Sequence, residues 1–168
     1  VNYRRPPDEG VFPAALDDFV TAWKWLTSLS GGGVPASKII VGGTSAGGGL
    51  CLALLLRLLG DADELPAAAI AVSPWTDMTQ SGASFVTNAE HGPDREYLEH
   101  WGKVYLDGAD SSNPLASPLF GDLRDLPPIL LQAGGDDTLL DDATAFAAAA
   151  ARAGCNVSLE VCRPAAQL

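Results

Sequence analysis

The sequence predicts an α/β fold, a mostly parallel sheet flanked by helices with a lid-type insertion. Short β-branched or apolar runs alternate with longer stretches of helical periodicity. The short runs are apolar at nearly every position, the pattern of parallel strands covered on both faces. One pair of consecutive strand runs is separated by about fifty residues rich in Asp, Ser, Gly and Pro, too many for a plain crossover. The 168 residues suffice for one domain with a real core. They are read as a single partial domain, residues 1–168, with its core in 1–73 and 128–168 and its insertion in 74–127.

Val1 to Tyr3 reads as the tail of a strand stopped by Pro6 and Pro7. Phe12-Pro13 opens a helix, with Asp17 and Asp18 near its positive end. Leu16, Phe19, Val20, Trp23 and Leu26 recur at helical spacing as its buried stripe. Gly31, Gly32 and Gly33 end it. Lys38 to Gly42 reads as a strand buried on both faces, Ala46 to Gly60 as an apolar helix and Ala67 to Ser73 as a second strand. Within the insertion a helical piece spans Arg95 to Leu106, and Leu115 to Leu119 is loop. Pro128 to Ala133 repeats the strand pattern, Leu139 to Ala153 is an Ala-rich helix, and Val157 to Val161 is a last strand. The insertion is expected over the carboxyl ends of the strands, where α/β ligands bind.

Composition narrows the function classes. Hydrophobic residues make up 47% and charged residues 18%, a globular balance that excludes disorder. Ten Lys and Arg against twenty-one Asp and Glu leave a net charge of −11, which repels nucleic acid and anionic lipid. The most apolar run, Leu50 to Leu59, carries Arg57 and is far short of a membrane span. No signal peptide is visible, and a chain opening on Val1 is expected to be a piece of something longer. Cys51, Cys155 and Cys162 are widely spaced and form no metal-ligand pattern, and an extended segment holds the latter two too far apart to bridge. Three reduced thiols suggest a cytoplasmic protein.

Gly43-Thr44-Ser45-Ala46-Gly47 fits G-x-S-x-G directly between a strand and a helix. In that setting a sharp turn lifts the Ser45 hydroxyl above the sheet as a nucleophile, and glycine on either side avoids a clash. The Ala46 amide is then placed to stabilise an oxyanion. A Gly-rich turn serving only close packing would share the letters. The dinucleotide fingerprint is missing, and so is the Gly-Lys-Ser/Thr of a phosphate loop. After Pro128 to Ala133 come Gly134-Gly135-Asp136-Asp137-Thr138-Leu139-Leu140-Asp141-Asp142, acids at the carboxyl end of a strand. The order Ser then Asp suits a hydrolase triad. Asp136, first off the strand, is the expected acid, and Asp141 and Asp142 read as dipole partners in the next helix. A triad also needs a histidine beyond the last strand. His91 and His100 both precede Asp136, inside the insertion, and read as solvated or lid-packing residues.

These motifs resemble those of the bacterial hormone-sensitive-lipase-like (family IV) esterases of the α/β-hydrolase superfamily, in the flavour of the monoterpene ε-lactone hydrolases. Tyr3-Arg4-Arg5-Pro6-Pro7-Asp8-Glu9 with Phe12-Pro13-Ala14-Ala15 resembles the segment YR-x-x-PE…FPAA. Gly43 to Gly49 resembles the GDSAGG elbow, and Ser73-Pro74-Trp75-Thr76-Asp77 resembles SPW-x-D. Pro114 to Leu119 resembles PLASPL, and Leu126 to Asp142 resembles LPP…D-x-LLDD. The resemblance implies an incomplete α/β-hydrolase fold and cleavage of short-chain carboxylic esters or lactones, with neither metal nor organic cofactor. Ser45 would be the nucleophile and Asp136 the acid. It implies a small-molecule ester or lactone as partner, and homodimerisation of the intact parent through its last strand and helix. Trp75, Phe85 and Trp101 are candidates for an apolar substrate pocket.

Departures from the family pattern carry their own expectations. The HGGG oxyanion loop, its strand and the N-terminal cap helices would lie upstream of Val1. The strand ending at Gly42 then has a raw, apolar edge. Cys162 stands where relatives carry Trp, Gln167 stands near the triad His position, and Thr44 replaces the usual elbow acid. Without the base and the glycine loop, hydrolysis by this chain is expected near background. Plant gibberellin receptors resemble the same family without the triad His, so a non-catalytic small-molecule binder is the competing reading.

Overall fold

The structure, a computed structural model, describes residues 1–162, apart from the side chain of His91. Gln167, expected near the triad His position, lies outside the described residues. Four strands form one parallel sheet: β1 (Ile40–Thr44), β2 (Ala68–Val72), β3 (Ile129–Gly134) and β4 (Val157–Cys162). Their spatial order is their order in the chain, β1-β2-β3-β4. Helix α2 (Ala46–Gly60) follows β1, and α5 (Leu140–Arg152) joins β3 to β4.

One face of the sheet is covered. Ala69 and Ala71 of β2 and Ile129 and Leu131 of β3 pack with Leu52 and Leu55 of α2 and Phe146 of α5. Helix α2 is apolar nearly all round because it is covered on two sides. Its Leu50, Leu54 and Leu58 meet Ala15, Leu16, Val20 and Trp23 of α1 (Ala14–Thr27). Phe19 and Leu26, expected in the buried stripe of α1, are only partly covered.

The other face departs from expectation. β1 is not buried on both faces: Ile40, Gly42 and Thr44 are exposed, Ile40 by 61%. Ile70 of β2, paired in register with Gly42, is also open to solvent. The strand begins two residues later than its β-branched run suggests, because Ala36–Lys38 closes into a single 3-10 turn. Val1 to Tyr3 forms no strand and has no strand neighbour among the described residues. Tyr3 instead packs its ring on Phe19, centroids 5.5 Å apart.

The segment after β2 contains α3 (Ser84–Thr87) and α4 (Arg95–Leu106), the latter with the bounds its sequence suggests. The Asp94 carboxylate accepts from the Tyr97 amide at 2.7 Å and fixes where α4 starts. Trp75, Phe85, Leu98 and Leu139 form a small core of their own, tying α4 to the start of α5.

Candidate active site

The site lies at the carboxyl ends of β1, β2 and β3. The residue just past each strand reaches across to its neighbour. The Ser45 amide donates to Val72 O at 2.9 Å and the Ser73 amide to Gln132 O at 2.7 Å. These bonds seat Ser45, Ser73 and the turn after β3 side by side.

Ser45 has φ 54 and ψ −123, a conformation L residues rarely adopt, and it forms the junction between β1 and α2. A Cβ on Gly43 would come 2.3 Å from Gly47 O, so this position admits glycine alone. Gly47 is different. A Cβ there meets nothing within 4 Å, so no clash requires glycine on that side. The close approach falls instead on Gly49, whose Cβ would lie 2.1 Å from Trp75 O. The sequence signal for it was the lengthened run Gly47-Gly48-Gly49. Ala46 is the first residue of α2, so its amide has no acceptor within the helix and points out at the positive helix end. The Ser45 hydroxyl makes no hydrogen bond among the described residues.

The turn after β3 places its four acids differently from one another. Asp136 is exposed and accepts no hydrogen bond among the described residues. Asp137, half-buried, accepts from the Ser73 hydroxyl and, at 2.9 Å, from the Leu139 amide. The two neighbouring acids are thus held differently: β3 runs on to Gly134, and the turn closed by Asp137 N on Gly134 O leaves Asp136, the expected acid, exposed and Asp137 anchored. The signal for Asp137 was the buried Leu139 two residues on, whose amide its side chain can cap. Ser73, with φ 42, is a site residue that sequence reasoning missed.

Asp141 and Asp142 lie in the first turn of α5 as expected, but they do more than meet the helix dipole. Asp141 accepts from the Ser84 amide at 2.9 Å. Asp142, only 2% exposed, accepts from the amides of Thr76 at 2.7 Å and Asp77 at 2.9 Å. Burial pushes the Asp142 carboxyl up to about 7, against the pull of those amides. Asp77 beside it is held below the ordinary carboxyl range. Burial opposes this, but the hydroxyls and amides of Ser81 and Thr79 outweigh it.

Ser45 and Ala46 line a cavity of about 630 Å³, of a size that suits a small molecule. Trp75 and Trp101 line it as well. Phe85 does not, because it is wholly buried in the small core beneath α4. His100 is exposed, its ring 5.3 Å from that of Trp101, and it bonds neither Ser45 nor Asp137. No imidazole thus meets the serine or the acid among the described side chains. Among the described residues there is no group of His, Cys, Asp or Glu able to hold a metal, and no helix long and apolar enough to cross a membrane.

Residues 1–165 match the model of a family described as alpha/beta hydrolase fold. An acetyl-hydrolase from Streptomyces hygroscopicus is 43% identical over 162 residues, covering 95% of this chain and 53% of that protein. An esterase from Acinetobacter venetianus is 35% identical over 164 residues, covering 96% and 53%. Among solved structures, an esterase from the bacterial hormone-sensitive lipase family aligns with a TM-score of 0.87 at 46% identity, covering 93% of this chain and 52% of that one. The chain spans about half the length of the relatives it matches.

Proposed function

The chain belongs to the α/β-hydrolase family, in its hormone-sensitive-lipase-like branch, and on that premise we propose that it carries the nucleophile and the acid of a serine carboxylesterase. The observation that carries this is Ser45, held at positive φ between strand and helix in the wall of a cavity of a size that suits a small molecule. In the reaction Ser45 Oγ attacks the carbonyl carbon of a small ester or lactone, giving up its proton to a base. The Ala46 amide donates to the oxyanion that forms. Collapse expels the alcohol and leaves an acyl-serine, which water hydrolyses. Asp137, anchored by Ser73 and the Leu139 amide, orients the base. Homodimerisation along β4, where Glu160, Val161 and Cys162 are exposed, belongs to the same reading.

No imidazole meets Ser45 or Asp137 among the described side chains, so p-nitrophenyl acetate and butyrate are expected to be hydrolysed at background rates. Added imidazole supplies a base of the right size. It is expected to accelerate fluorophosphonate labelling of Ser45, and Ser45→Ala abolishes the labelling. Asp137→Asn is expected to cut the imidazole-dependent part about tenfold or more, while Asp136→Asn leaves it within about twofold. The reverse ranking returns the acid to Asp136. Labelling absent with and without imidazole removes Ser45 as nucleophile. Turnover that needs no imidazole and vanishes in Ser45→Ala places a base within the chain. A cavity lined by no imidazole among the described residues also favours a second reading, a binder that holds an ester without cleaving it. Saturable binding by a chain that never labels supports that one.

A further inference from the structure

The sequence holds three tyrosines and four tryptophans. All three tyrosines, Tyr3, Tyr97 and Tyr105, and two of the tryptophans, Trp75 and Trp101, line the same cavity as Ser45. Three of these five come from one helix. Tyr97, Trp101 and Tyr105 recur at every fourth residue of α4 and so share one side of it. The adjacent stripe, Leu98, Gly102 and Leu106, is buried. A core-facing stripe thus lies beside an aromatic stripe that faces the cavity.

The packing stripe alone would hold α4 in place. Gly102 lets the helix settle on the Trp75 ring, from which a Cβ there would be 3.6 Å away. Tyr97 is 55% and Trp101 37% exposed, so both leave large aromatic area uncovered. Their centroids are 6.2 Å apart at 56°, which leaves ring faces and edges open rather than stacked on each other. Tyr105 is braced edge-on by Phe12, centroids 5.8 Å apart. Aromatic rings prefer other rings in offset or edge-to-face contact, because negative faces meet positive edges. A saturated ring offers no such match.

We propose that the Tyr97–Trp101–Tyr105 stripe, together with Trp75 in the same cavity, is a specificity-determining surface that selects esters carrying an aromatic ring over saturated esters of the same shape. This rests on the proposed reading in which the part of the cavity lined by Ser45 and Ala46 takes the ester group. The ester sits against Ser45 and Ala46, and the ring lies along α4.

The test uses the 168-residue chain carrying Ser45→Ala, which removes any cleavage, and two matched probes, benzyl acetate and cyclohexylmethyl acetate. Binding is read by calorimetry. The cyclohexyl compound is the more hydrophobic, so apolar burial alone ranks it first. The stripe is expected to reverse that order, with benzyl acetate roughly fivefold tighter. Trp101→Leu is expected to bring the ratio to one or below, and Tyr97→Leu, at a still more exposed position, to reduce it. Trp25→Leu, on α1 away from the cavity, leaves it unchanged. Equal or tighter binding of the saturated ester overturns the proposal, as does a ratio indifferent to Trp101→Leu. Tighter binding of acetylcholine than of benzyl acetate also overturns it, since that reads the rings as a cation cage. Absence of saturable binding in a chain whose native Ser45 labels with fluorophosphonate overturns the aromatic selection and leaves the nucleophile standing. Aromatic preference in a chain that never labels supports the selection and overturns the nucleophile.

Discussion

Ser45 at φ 54 is tolerable only because its surroundings fix it. Its amide bonds Val72 O, and its carbonyl accepts from the amides of Gly49 at 3.0 Å and Trp75 at 3.1 Å. Gly43 is the other half of that arrangement, since nothing larger fits against Gly47 O. Gly43→Ala is therefore expected to cost ~1–3 kcal/mol by chemical denaturation. Gly47→Ala, with open space around it in a helical position, is expected to be neutral or to stabilise by up to ~1 kcal/mol. An equal loss at both positions contradicts this account of the elbow. The strand-to-helix turn at Ser45, the proposed nucleophile, was legible in the sequence because it is made of adjacent residues. Which of the two acids after β3 is anchored was not legible in the sequence. Asp136 and Asp137 differ in how the turn holds them, and Ser73, which anchors Asp137, lies 64 positions away from it.

Helices declared themselves more sharply than strands. The bounds of α2 and α4 agree with their sequence pattern because local punctuation sets them: the elbow before α2, Asp94 before α4. Strands begin where pairing begins, and pairing is not local. Val1 to Tyr3 has strand-like residues and no partner, while the first residues of the β1 run are spent on a 3-10 turn. The start of α5 holds information the sequence did not disclose, since its acids fasten the segment after β2 through backbone amides. That fastening has a pH signature. The folded chain holds a proton on Asp142 more tightly than the unfolded chain does, with Asp77 the charged group facing it. Stability is then highest below the ordinary carboxyl range. It falls as pH rises from about 4 to about 7, by up to ~4 kcal/mol. Asp142→Asn is expected to flatten that slope in denaturation midpoints measured across the interval. An unchanged slope assigns it to another group.

Taken whole, the molecule combines a net charge of −11 with a sheet face that shows Ile40 and Ile70 to solvent. Repulsion between like-charged copies opposes contact through that face, and salt screens the repulsion. Self-association by sedimentation is expected to grow from about 0.02 M to about 0.5 M salt. The double substitution Ile40→Lys with Ile70→Lys is expected to abolish that growth. Association that weakens with salt points to charge pairing instead. The sheet has one further property. Because its spatial order repeats its chain order, each strand emerging during synthesis finds its neighbour already made. Within the described sheet the strand before Ser45 is laid down ahead of the strand before Asp137, so this corner can be assembled in the direction the ribosome reads.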